Sequence, residues 1–183
     1  AAFRQEVLER YGVERIEDLP VNFRGLVAER SEALGAAVLQ RHALTRQAAE
    51  QRQARVLRAF GWLSPVLAVR RLSSAAAGTD LETHHRFLNE AEAHRLALVQ
   101  ALNRLHAEGL TYADDVRRSA DAEAERRTRV DAGNWAALPD FSFRIAPAPE
   151  RIRAALPALL PLAAWTAAAL VALARGRRRV TTP

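Results

Sequence analysis

Apolar residues return every three or four positions along most of this sequence, and no alternating or β-branched run reads as a strand. Ala, Leu, Arg, Glu and Gln dominate, so the chain is predicted to be all-α. A first helix over residues 2–10 stops at Tyr11-Gly12, and the turn VERIEDLP leads to Pro20. Asn22 is placed to cap a helix from Phe23 to about Phe60, about 55 Å long at 1.5 Å per residue. Its apolar stripe runs through Phe23, Leu26, Val27, Leu34 and Val38, then thins to alanines over TRQAAEQRQAR, residues 45–55. That half packs loosely, pairs with another chain or stands in solvent.

GWLSP at residues 61–65 breaks the run, and Ser64 with Pro65 restarts a helix as cap and first-turn proline. The segment PVLAVRRLSSAAAG is amphipathic and ends at Gly78; it packs in a core or, with Phe60 and Trp62 before it, lies on a membrane surface. Thr79 or Asp80 then caps a helix to about Glu108, with Gly109 as its stop and Leu81, Leu88, Val99 and Leu102 as its stripe. Residues 113–133, ADDVRRSADAEAERRTRVDAG, read as a solvated helix or loop. NWAALPDFSFRIAPAP, residues 134–149, contains Pro139, Pro147 and Pro149 and reads as an extended connector.

The pattern changes at residue 154. From there to residue 174 no charge occurs in 21 residues, which as a helix matches the roughly 30 Å hydrocarbon core of a bilayer. Ten of the 21 are Ala and six are Leu, and Pro157 and Pro161 fall in the first two turns. So weakly apolar a span is expected to pack among others, and Ala164, Ala168 and Ala172 supply a small-residue face for close helix contact. The rival reading is a buried helix of a soluble bundle; a signal peptide is excluded by position.

Charge adds a direction to this reading. Residues 1–150 hold 21 Arg and 21 acids, whereas six Arg and no acid follow, so the net +6 belongs to the flanks of the apolar run. Arg175, Arg177, Arg178 and Arg179 stand after it against Arg151 and Arg153 before, which places the C-terminal side in the cytoplasm and residues 1–150 outside it. The balanced charge elsewhere excludes nucleic acid as an expected partner, because phosphate binding needs a net positive face.

Candidate chemistry is sparse. The chain has no Cys, hence neither disulfides nor thiolate sites. Among its five histidines, none of His84, His85, His94 and His106 is paired at helical ligand spacing. Glu82 and His85 have the spacing of a di-iron helix, but no second such motif occurs, so His85 is assigned to the stripe with Leu81 and Leu88, with His84 at its edge. Ser73-Ser74 and Asp114-Asp115 read as solvated. No catalytic residue, cofactor or metal site is predicted.

Several spellings together carry a family resemblance: EDLPVNFRG with Pro20, Asn22 and Gly25; SPVLAVRRLS with Pro65; AGTD with Gly78, Thr79 and Asp80; and HHRFLNEAEAHR with His84, His85 and Arg95, followed by Leu102-Asn103. In order and spacing the chain resembles bacterial ABC transporter permease subunits of the ABC-2 type, in the branch with a large helical extracytoplasmic domain of unknown function. Ser74 and Ala76 depart from that pattern, standing where bulkier apolar residues are expected. The resemblance implies a pathway subunit in the bacterial cytoplasmic membrane, ATP hydrolysis on a separate ATPase subunit, a second permease copy as partner, and preceding spans. The lack of any Met agrees with a piece of a longer protein.

The expected architecture is an elongated extracytoplasmic helical bundle (1–138), a Pro-rich connector (139–153), one transmembrane helix in the lipid bilayer (154–174) and a basic cytoplasmic tail (175–183). A membrane-anchored helical sensor or scaffold is the alternative function.

Overall fold

A computed structural model describes residues 2–117, 123 and 132–180, the side chains of 178–180 excepted. Most of the charged stretch 113–133 therefore lies outside the described residues. In chain order the helices are α1 (Ala2–Tyr11), α2 (Phe23–Phe60), α3 (Pro65–Ala77), α4 (Leu81–Gly109), α5 (Tyr112–Arg117), α6 (Ala132–Ala136), α7 (Ala148–Ala155) and α8 (Leu159–Val180). Single 3₁₀ turns occupy Ile16–Asp18 and Leu156–Ala158. No strand occurs among the described residues. The expected connector has no helix over residues 139–147 but is helical from Ala148 onward. Pro147 as N-cap and Pro149 in the first turn are compatible with a helix start, where no amide donor is needed.

The chain divides into two compact units, Ala1–His42 with Ala91–Ser142 and Ala43–Glu90 with Phe143–Pro183. In the first, the start of α2 meets the end of α4. Asn22 is fully buried at this junction: its Oδ1 accepts the Arg24 amide at 2.9 Å, its own amide donates to the Ala107 carbonyl at 2.7 Å, and its Nδ2 donates to His106 Nε2 at 3.3 Å. Gly25 lies so close to α4 that a Cβ there would stand 2.5 Å from the Ala107 nitrogen and 2.6 Å from its Cα. Phe3 of α1 stacks on Phe23 with centroids 6.2 Å apart, and the Arg30 guanidinium covers Phe3.

Farther along the same pair, Arg95 binds two carboxylates. Its Nη2 donates to Glu32 Oε1 at 2.7 Å and to Glu92 Oε1 at 2.8 Å, and its Nε donates to Glu92 Oε2 at 2.9 Å. These bonds hold the Glu92 carboxyl below its ordinary pKa and raise that of the guanidinium. Asp115 corrects the sequence reading that placed it in solvent. The short helix α5 turns it inward, where it is 7% exposed and faces Arg24 Nη1 at 3.2 Å and His106 Nε2 at 3.5 Å. Burial of a carboxylate is tolerable only with a partner such as the Arg24 guanidinium.

In the second unit α3 packs on α7, the 3₁₀ turn and the start of α8. Gly78 ends α3 in the left-handed region, φ 69°, with its amide on the Ala75 carbonyl and the Thr79 amide on that of Ser74. This pair of bonds is a Schellman closure. Asp80 Oδ1 then accepts the Thr83 amide at 2.7 Å and caps α4. His85 is buried and directs Nε2 to Glu50 Oε2 at 2.6 Å, while Gln47 Nε2 donates to Asn89 Oδ1 at 2.8 Å. The connector is held here by Phe143 edge-on to Phe87 and by Arg86 Nη2 on the Arg144 carbonyl at 2.7 Å.

Candidate functional site

The feature that sets this chain apart is the helix Ala148–Arg177, the one segment among the described residues long and apolar enough to cross a membrane. Its two halves differ. In the first, Ala155, Ala158 and Pro161 are buried. The 3₁₀ turn at Leu156–Ala158 brings residues three apart into register and so keeps these compact side chains in one row. From residue 163 to 177 every side chain is exposed, including Trp165, Leu170, Val171 and Leu173. A helix of a soluble bundle would bury one stripe over that length.

Helix α3 lies antiparallel to the first half. Its C-terminal end meets Arg151, whose Nη1 donates to the Ala77 carbonyl at 3.4 Å, and the corner preceding its N-terminal end meets Trp165, whose Nε1 donates to the Trp62 carbonyl at 3.1 Å. The facing surface of α3 is also small, with Ala68 and Ala75 buried. Gly78 completes the approach, since a Cβ there would stand 2.5 Å from Ile145 Cγ2 and 3.2 Å from Arg151 Cδ.

Beside this contact, within the same unit, is an open cavity of about 610 Å³. Leu57, Leu67, Leu81, Ala158 and Pro161 give it apolar walls, and Arg58, Arg70, Arg71, Asp80 and Glu82 border it. Arg58 Nη1 bonds Glu82 at 3.1 Å, and the Asp80 carboxylate is committed to the α4 cap. Apolar walls with Arg70 and Arg71 at the border suit an acyl chain or an anionic amphiphile better than a small polar substrate. Among the described residues no group of three His, Asp or Glu converges as a metal site.

The positions singled out in the sequence fall into distinct roles. Asn22, Gly25, Gly78 and Asp80 are caps or close contacts, Pro65 opens α3, Thr79 donates to Ser74 within the α3 closure, and Arg95 bridges carboxylates. Pro20 is exposed; His84 is exposed beside buried His85. Ala164, Ala168 and Ala172 are exposed. Arg175 and Arg177 are exposed, and the side chains of Arg178 and Arg179 lie outside the described residues. The row Ala155, Ala158 and Pro161 facing Ala68 and Ala75 was missed in the sequence, although small residues at repeated spacing were its signal.

The fold thus defines an all-helical protein with, among the described residues, one exposed apolar helix of membrane-crossing length. The chain belongs to the family described as a domain of unknown function, DUF3526, which matches residues 1–144. No curated protein and no solved structure matches it.

Proposed function

We propose that this chain is part of the membrane-spanning permease subunit of an ATP-driven, ABC-type transporter, with its helical units outside the cytoplasm and α8 crossing the bilayer. The observation that carries the membrane part is the all-round exposure of α8 from residue 163 to 177, which suits lipid or neighbouring spans. The ABC part rests on the resemblance of the motifs around Asn22, Gly78 and His85. An ABC-type ATPase subunit supplies hydrolysis, a second permease copy completes the pathway, and the external units contact substrate or a partner protein. The charge asymmetry across α8 supports a cytoplasmic Arg175 side.

The chain lacks cysteine, so topology is testable with single-cysteine variants. In intact spheroplasts a membrane-impermeant maleimide is expected to label Ser31→Cys and to spare Thr182→Cys; the reverse pattern overturns the sidedness. The transport reading requires that the detergent-extracted complex isolated through this protein contain an ABC-type ATPase with vanadate-sensitive hydrolysis. A complex without any ATPase favours a membrane-anchored sensor or scaffold.

A further inference from the structure

The corner between α2 and α3 resembles α8 more than it resembles the rest of the chain. Residues 59–69, AFGWLSPVLAV, carry no charge and are bracketed by Arg58 on one side and Arg70-Arg71 on the other. Phe60, Trp62, Leu63, Val66 and Val69 are all exposed, Leu63 and Val66 at 70% and 72%. So continuous an apolar surface is costly in water and marks a contact with something apolar.

Its place identifies that contact. The Trp62 carbonyl accepts Trp165 Nε1, so the corner lies level with a residue eleven positions beyond Ala154. At 1.5 Å per residue that is about 16 Å, or half of a hydrocarbon core about 30 Å thick. Helix α3 then climbs back antiparallel to α8, carrying Arg70 and Arg71 toward the level at which the apolar run begins. Long guanidinium side chains there reach headgroup phosphates while their stems stay apolar.

The backbone of the corner is suited to the same place. The Gly61 amide donates to the Arg58 carbonyl at 3.2 Å, Trp62 to Ala59 at 3.1 Å, Leu63 to Phe60 at 3.0 Å and Ser64 to Phe60 at 3.1 Å. Pro65 has no amide proton to satisfy. A turn in hydrocarbon needs its polar backbone groups bonded internally, and the four amides of residues 61–64 meet that need.

We propose that residues 59–69 form a second membrane element, a re-entrant corner seated among the acyl chains of the leaflet that α8 enters at Ala154. This rests on the reading of α8 as a membrane span. Its consequence is that α3, and through it α2, is anchored in lipid and does not hang from α8 alone.

The test uses the full chain in phosphatidylcholine vesicles with an environment-sensitive fluorophore on one cysteine at a time: Leu63→Cys or Val66→Cys in the corner, Leu170→Cys in α8, and Ser31→Cys in α2 as the aqueous reference. Lipids with a nitroxide on the acyl chain are then added. Loss of emission at the two corner sites comparable to that at Leu170, with Ser31 keeping its emission, is the expected result. Quenching at Leu170 with the corner behaving as Ser31 does overturns the re-entrant corner and leaves the span intact. No quenching at Leu170 or the corner overturns both.

Discussion

Glycine at two positions of α2 separates close packing from open surface. Gly25 has the Ala107 backbone within 2.6 Å of any added Cβ, whereas Gly35 has nothing within 4 Å. Gly25→Ala forces the two helix backbones apart and is expected to cost about 1–3 kcal/mol. Gly35→Ala, in an exposed helical position, is expected to stabilise by up to about 1 kcal/mol. Urea denaturation followed by circular dichroism distinguishes them, and a Gly25→Ala variant as stable as the parent would contradict the close approach at Ala107. Asn22 combines a helix cap with burial, so Asn22→Ala should lose about 1–2 kcal/mol in the same measurement and leave His106 Nε2 without its donor.

Between elements, Arg95 links its own helix to Glu32 on α2 with the same guanidinium that binds Glu92. The Glu92 pKa is lowered chiefly by the hydrogen bond from Arg95, so the folded state binds that proton more weakly than the unfolded chain does. Its contribution is complete above the ordinary glutamate value and fades as pH falls below about 4. The Glu92 side chain is 35% exposed, and solvent screening limits the effect to about 1 kcal/mol or less. Acid titrations of the unfolding midpoint should therefore be slightly shallower for Arg95→Gln than for the parent chain. In α8 a charge at the middle of the apolar run carries a larger penalty, about 2.5–3.5 kcal/mol on insertion scales. Ala164→Arg is expected to move the protein from the carbonate-resistant membrane fraction toward the soluble one; no movement would argue against a span at that position.

For the molecule as a whole, the packing of α3 changes what a truncation should do. Removing residues 154–183 takes away the apolar helix but also part of the surface on which α3 packs. The product is expected to stay helical, with α3 loosened and cut by trypsin at Arg70 and Arg71 faster than in the full chain. Unchanged cleavage there would mean that α3 is held by α2 and α4 without the C-terminal helix.

Most of the helices and their boundaries could be read from residue types alone, because caps, proline restarts and glycine stops act over four or five neighbours. Asn22, Ser64-Pro65, Gly78 and Asp80 are of this kind, as is the charge-free run before Arg175. Local chemistry could not reveal which surfaces meet. The stripe expected at Leu34 and Val38 is exposed, the acidic Asp115 is buried, and Ala155, Ala158 and Pro161 are buried where the apolar run begins. Those outcomes depend on partners more than fifty residues away along the chain. Helix formation is a property of short segments, whereas burial is set by whatever backbone the fold brings alongside.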